Sequence, residues 1–367
     1  MLWHMLVCYT KFNNLLKSTF IQTCFQIPGK LIVSSFLLLC IPTVLSAQQY
    51  SAKSLSLKVV NYDLDVHLDY TSKRLTATCI LTVKNQTSAT VQTIPLLLYR
   101  LMKISAIKDE KGSPLTYTQR VLQFEDWETY QANYIEVTPA RKLIKNDSCK
   151  LTIKYEGYLF GYTETGNLYV RDNIDAQFTI LRPDCLAFPE LGYPNQNVNR
   201  AAGFSPSFNY EVTVHVPDSL VVVNGGILIN KKSKNGFTAY TYRNSKLAWR
   251  IDFAISKYKI METPFLKIYY LEKDEVGAKT VFRYVQRTME LYSKWWGDLE
   301  GNTGFSIIEI PGGYGSQADE SCILQTADVF NDSTQMRQLY HEISHLWNVS
   351  SNDKYNSRWN EGLATFI

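Results

Sequence analysis

Between Ser51 and Lys257 the pattern is almost wholly that of β-strands: short runs that alternate apolar and polar residues, with turn residues between them. "LSLKVVNYDLDVHLDY", "RLTATCILTVKN", "YIEVTPA" and "FNYEVTVHVP" are rich in β-branched and aromatic residues, as a half-buried pleated surface requires. "SLVVVNGGILINKK" adds two more runs, and Asn224-Gly225-Gly226 predicts a hairpin between them. Sheets patterned in this way must bury one face, so an all-β sandwich, or an open and strongly twisted saddle, is expected over residues 48–260.

Near Glu262 the period changes. "DEVGAKTVFRYVQRTMELYSKWWGDLEG" places Val281, Val285, Met289, Tyr292 and Trp296 on one helical face, and Gly297 ends the run. "FSIIEIPGG" and "SCILQTADVF" read as buried strands. In "NDSTQMRQLYHEISHLWNV" Asp332 and Gln335 have capping-box spacing, which predicts a helix over about 333–347. An α+β domain is therefore expected over residues 261–367. Two domains also suit the length, since 367 residues exceed what one core usually supports.

The composition is that of a globular protein, with 45% hydrophobic and 20% charged residues. A net charge of +4, without a dense Lys/Arg run interleaved with aromatics, argues against a nucleic-acid partner. "GKLIVSSFLLLCIPTVLSAQQ" has Lys30 before an apolar stretch and small residues at Ser46-Ala47. It reads as a signal peptide over residues 1–47, cleaved after Ala47, which makes the protein secreted or periplasmic. The alternative is an uncleaved segment, 31–47, that associates the chain with the membrane. Four cysteines follow it, too few for a disulfide scaffold. Alternation turns Cys79 and Cys149 inward, either as two buried thiols or as a bridge. His67 and His215 lie within strands without a second candidate ligand close in sequence, and read as packed or surface strand residues.

The chemistry concentrates in "QLYHEISHLWNVSSNDKYNSRWNEGLATFI". On a helix, His341 and His345 stand one above the other and can present two imidazoles to one ion. Glu342 projects beside them, where a carboxylate can take a proton from the water that such an ion activates. Fifteen residues separate His345 from Glu361, which lies in a second helix-like run, "RWNEGLATFI", and can return to the ion as a third ligand, leaving a fourth position open. The cofactor this implies is one Zn2+ per chain.

HEISH with Trp347, followed by WNEG, resembles the aminopeptidase N family of gluzincin metallopeptidases. The resemblance extends diffusely over the β region and over "LYSKWWGDLE", and it implies a β domain followed by the first half of a thermolysin-like catalytic domain. It implies that His341, His345 and Glu361 bind zinc, that Glu342 activates water, and that peptides or proteins are hydrolysed near the amino terminus.

Three features depart from the family. The interval from His345 to Glu361 is shorter than usual. "GGYGSQADE" stands where the family has Gly-Ala-Met-Glu-Asn: Gly312 and Gly313 suit a turn before a strand that pairs with substrate, while Glu320 or Asp319 replaces the amine-anchoring glutamate only if the strand is shifted. The family's catalytic tyrosine is expected beyond Ile367, so the chain reads as incomplete within its catalytic domain. Gln177 and Arg182, in "AQFTILRPDCLAFPE", resemble the segment that reaches the cleft. Gln177 is then a substrate contact, or else both are polar loop residues. A zinc endopeptidase and a non-catalytic binding module of the same fold are the alternatives.

Overall fold

The computed structural model describes residues 49–201, 208–299, 304–319, 321–347 and 357–366, so the segment read as a signal peptide and Glu320 lie outside the described residues. Residues from Gln49 onward form one compact unit. It is mostly β, built on several sheets. The largest has seven strands in the order Ile227–Lys234, Phe237–Arg243, Asn209–Pro217, Leu57–Asp69, Arg74–Asn85, Ser148–Gly157 and Met102–Lys108. Leu57–Asp69 and Asn209–Pro217 run parallel; every other neighbouring pair is antiparallel.

Alternation decides which face is buried. In Leu57–Asp69 the inward set begins with Leu57 and Val59, then a bulge between Val59 and Asn61 moves it to Tyr62, Leu64, Val66 and Leu68. A four-stranded sheet (Tyr117–Phe124, Trp127–Val137, Ile94–Tyr99, Glu190–Leu191) contributes Leu96, Leu98, Ile135 and Val137 to the same core. Two sheets sharing one core are what the alternation predicts. A third sheet, Val221–Val223, Phe253–Ser256 and Thr179–Leu181, carries Ile180, Val223 and Ala254 into a smaller core with Ile308, Ile310 and Leu324.

One expectation fails here. Val221–Val223 pairs with Phe253–Ser256, while Ile227–Lys234 pairs with Phe237–Arg243, so Asn224-Gly225-Gly226 is a crossing between sheets and not a hairpin turn. Asn224 pins the crossing: its Oδ1 accepts from the Tyr210 hydroxyl and the Gly226 N–H, and its Nδ2 donates to the Asp252 carbonyl. A Cβ on Gly226 would lie 2.6 Å from the Arg243 carbonyl oxygen, which accounts for glycine there. The hairpin is instead at Asn235-Gly236, both with positive φ, as a two-residue primed turn requires. Of the two readings of Cys79 and Cys149, the buried thiols are the one found. Cys79 and Cys149 are free and buried; across the paired strands Cys79 faces Ile153 and Cys149 faces Val83, too far apart along the ladder to bond.

A five-stranded sheet follows, in the order Tyr258–Glu262, Leu266–Leu271, Phe305–Ile310, Cys322–Thr326 and Gln317–Ala318. Its three inner strands are parallel, and Gln317–Ala318 is an edge strand, antiparallel to Cys322–Thr326. The long helix Glu275–Trp296 buries Ala278, Val281, Val285, Thr288 and Tyr292, while Trp296, expected on that face, is 39% exposed. Gly297, with φ 87°, ends it. The next helix is shorter than predicted: Met336–Ser344, with 3-10 turns at Ser333–Gln335 and His345–Trp347. Asp332 caps the entry by accepting from the Thr334 N–H. A further helix spans Ser357–Phe366. Among the described residues no helix is long and apolar enough to cross a membrane.

Candidate metal centre

The histidine helix (Met336–Ser344) turns Met336, Leu339 and Ile343 into the core against Val281, Val285 and Tyr292 of the long helix. That packing fixes its rotation, so His341 and His345 are directed away from the core and only partly exposed. Trp347 locks the exit: its Nε1 donates to the Gly297 carbonyl at 2.8 Å and its ring meets Tyr292 edge-on at 5.7 Å. His345 falls in the terminal 3-10 turn, yet its backbone stays right-handed helical, with φ −61° and ψ −21°.

The two Nε2 atoms are 3.2 Å apart. Glu361, on the helix Ser357–Phe366, brings Oε2 to 3.4 Å from His341 Nε2 and Oε1 to 4.0 Å from His345 Nε2. These donors meet the test for a metal site. Tetrahedral zinc with bonds of about 2.0–2.1 Å separates its ligand atoms by roughly 3.3 Å, close to the spacings here, and the donors are types zinc takes. Arg337, one turn before His341, donates from Nη2 to the Thr365 carbonyl at 3.3 Å and ties the two ligand-bearing helices together.

Glu342 is buried, at 8% exposure. Burial pushes its carboxyl up to about 7, the Glu361 carboxylate adds to the rise, and a hydrogen bond from the Ala318 N–H opposes it. Because Ala318 belongs to the edge strand, Glu342 sits at the open side of the five-stranded sheet, where an extended peptide can add as a further strand. Burial also pushes His345 down, with the His341 imidazole acting in the same sense and Glu361 in the opposite one.

Gly312 and Gly313 form the expected turn after Phe305–Ile310, with Gly313 at φ 87° and the Tyr314 N–H donating to the Pro311 carbonyl. A Cβ on Gly313 would come within 2.7 Å of Arg171 Nη1, so a guanidinium lies against the turn. Ser316 accepts from the Thr326 N–H and from Gln325, bracing the approach to the edge strand. Asp319 is close enough to Cys322 and Tyr210 that its charge helps to push both up. Gln177 is exposed; its N–H donates to Asp175 and its carbonyl accepts from Ser256, while the neighbouring Phe178 ring meets Tyr314 edge-on at 5.3 Å.

Arg182, in the link between Thr179–Leu181 and Pro183–Cys185, is buried. It is 1% exposed and pairs bidentately with Asp172, both contacts at 2.9 Å, because a guanidinium fork at that depth needs a carboxylate. Residues that local spacing did not mark are Ala318, whose contribution is a backbone N–H, and Arg171. Neither carries a motif. His67 and His215 are strand residues, as expected, and they lie opposite each other on parallel strands and share Asp65.

No family model matches the chain, and no curated protein matches it. Solved structures do. A mutant of an M1 zinc metallopeptidase from Deinococcus radiodurans, bound to the substrate Tyr-Ser-Ala, matches with a TM-score of 0.55 and 17% identity, over 80% of this chain and 65% of that one. The M1 zinc metallopeptidase from the same organism without that mutation gives 0.56 and 18%, over 80% and 64%. A two-domain M1 zinc metallopeptidase mutant bound to L-arginine gives 0.57 and 18%, over 85% and 69%. The chain thus spans 65% of the length of the first of these structures, and what it shares with them is the fold of the M1 zinc metallopeptidases.

Proposed function

We propose that the chain is a zinc-dependent metallopeptidase of the aminopeptidase type, exported by its N-terminal segment, with His341, His345 and Glu361 as zinc ligands and Glu342 as general base. The observation that carries this is the convergence of three zinc-type donors within 4.0 Å, beside a buried carboxylate held at the open edge of a sheet. Zinc held there supplies a Lewis acid that acidifies water and polarises the scissile carbonyl. The peptide lies along Gln317–Ala318, with the Gly312-Gly313 turn before that strand and Gln177 as a side-chain contact at its near end. Glu342, oriented by the Ala318 N–H, accepts the proton of the attacking water and hands it to the leaving amine.

A zinc endopeptidase is the second reading. The Arg171 guanidinium lies against Gly313 and the Asp328 carboxylate against Gly312, so the turn before the edge strand presents a cation beside its anion, where a free amino terminus needs an anion alone. Cleavage of aminoacyl reporters, compared with amino-blocked peptides, separates the two. The aminopeptidase predicts turnover of the free-amine substrates alone, and turnover of blocked peptides alone contradicts it.

A further inference from the structure

On the solvent face of the seven-stranded sheet, parallel pairing sets His67 directly opposite His215. The imidazoles stack with ring centres 3.8 Å apart and planes 11° from parallel. Asp65, two residues before His67 and so on the same face of the strand, brings Oδ1 to 2.9 Å from His67 Nε2 and 3.2 Å from His215 Nε2. All three donor atoms lie within 4.8 Å of one another.

Two features separate this group from an ordinary surface ion pair. His215 Nε2 is buried, and although Asp65 Oδ1 is near, no hydrogen bond of acceptable geometry satisfies it. The second is the stacked His67 ring, which brings another imidazole beside that nitrogen. A buried imidazole nitrogen without a hydrogen bond, beside a second imidazole and a carboxylate, is a metal-ligand set in waiting. Side-chain exposures of 57% for His67 and 50% for Asp65 leave both free to tilt toward a common point.

We propose that Asp65, His67 and His215 form a second divalent-metal site, of the two-imidazole, one-carboxylate type that takes zinc, separate from the helix-borne centre. The donor spacings of 2.9 and 3.2 Å approach the roughly 3.3 Å edge of tetrahedral zinc. The remaining coordination position is open to solvent. Asp65 and His67 also line a groove of about 240 Å³ whose other walls include Thr76, Thr78, Lys154 and Glu156. Glu156 is engaged by Arg74 at 3.1 Å and does not join the ligand set. The site is of a kind that local sequence spacing does not show, because its third ligand arrives from a different strand.

Zinc titration of the metal-stripped full chain against a chromophoric chelator tests this. The wild type takes up two equivalents, and His67→Ala and His215→Ala each take up one fewer. His341→Ala/His345→Ala loses the other equivalent. If the helix-borne centre does not bind zinc, that double variant matches the wild type while His215→Ala still loses its equivalent, so failure of one site is distinguishable from failure of the other. Unchanged melting of the metal-free His67→Ala protein, altered at an exposed side chain, verifies that the fold is kept. Uptake by His67→Ala and His215→Ala equal to that of the wild type overturns the proposal.

Discussion

Glu342 combines burial with a single backbone donor and a carboxylate neighbour, and each affects when it can carry a proton. A group held near 7 exchanges protons with water at neutral pH, which is what a general base needs. Glu342→Gln keeps the shape and removes the proton acceptor. Turnover of peptide substrates should fall by about 10²–10⁴-fold with zinc content unchanged, as steady-state kinetics and metal analysis would reveal; a loss smaller than tenfold removes Glu342 from the reaction. Much of this centre was legible in the sequence, because a helix makes four-residue spacing a statement about geometry and Glu361 lies on a helix of its own, Ser357–Phe366. The Ala318 N–H was not legible, since any residue offers one. Nor was Asp65–His67–His215, whose members meet only once strand pairing is known.

Among the elements, the histidine helix depends on its neighbours more than on its own length. The sequence predicted one continuous helix, whereas three segments form, with the regular part spanning only Met336–Ser344. Packing against the long helix keeps the two imidazoles aligned nonetheless. The Arg337 side chain bonds to the backbone of the helix bearing Glu361. Arg337→Ala should weaken zinc binding roughly tenfold, as loss of an outer support does, and an unchanged competition constant would refute that support. Glu309, fully buried on the central strand Phe305–Ile310, accepts from the Leu271 N–H at 2.7 Å, while burial first and Asp274 next raise its carboxyl to about 9. The folded chain therefore holds a proton that the unfolded chain, near 4.5, releases. This stabilisation is full below pH 4.5 and is lost as pH rises toward 9. Glu309→Gln removes the dependence, so its melting temperature relative to the wild type should climb from pH 5 to pH 9. Parallel melting profiles of the two proteins would contradict this. The Asn224-Gly225-Gly226 error belongs at the same scale: the turn residues were visible, but their destination on another sheet was not, while Asn235-Gly236 carried the stronger hairpin signal all along.

At the scale of the whole molecule, buried ion pairs brace the segments that flank the paired strands Thr179–Leu181 and Phe253–Ser256. Asp172 meets Arg182, and Arg250 meets both Asp252 and Asp184. The Arg182 guanidinium lies 5.5 Å from the Tyr314 ring, so the same pair braces the turn beside the candidate site. Asp172, fully buried, has its carboxyl raised to about 6 by burial even with Arg182 opposing. Arg182→Met strands that carboxyl and should cost about 3–5 kcal/mol, measured as a lower denaturant midpoint; a loss below about 1 kcal/mol would mean that the pair contributes little. The mostly β architecture was readable from alternation, and the change to α+β from period alone. How the described strands distribute among their sheets was not, because alternation identifies a buried face without naming the strand that covers it. The account rests on metal held by the histidine helix and its neighbour. An anomalous difference map at the zinc edge, from crystals of the zinc-loaded chain, is the most direct test. A peak is predicted at about 2.0–2.2 Å from His341 Nε2, His345 Nε2 and a Glu361 carboxylate oxygen; no density among those three atoms at saturating zinc would contradict it.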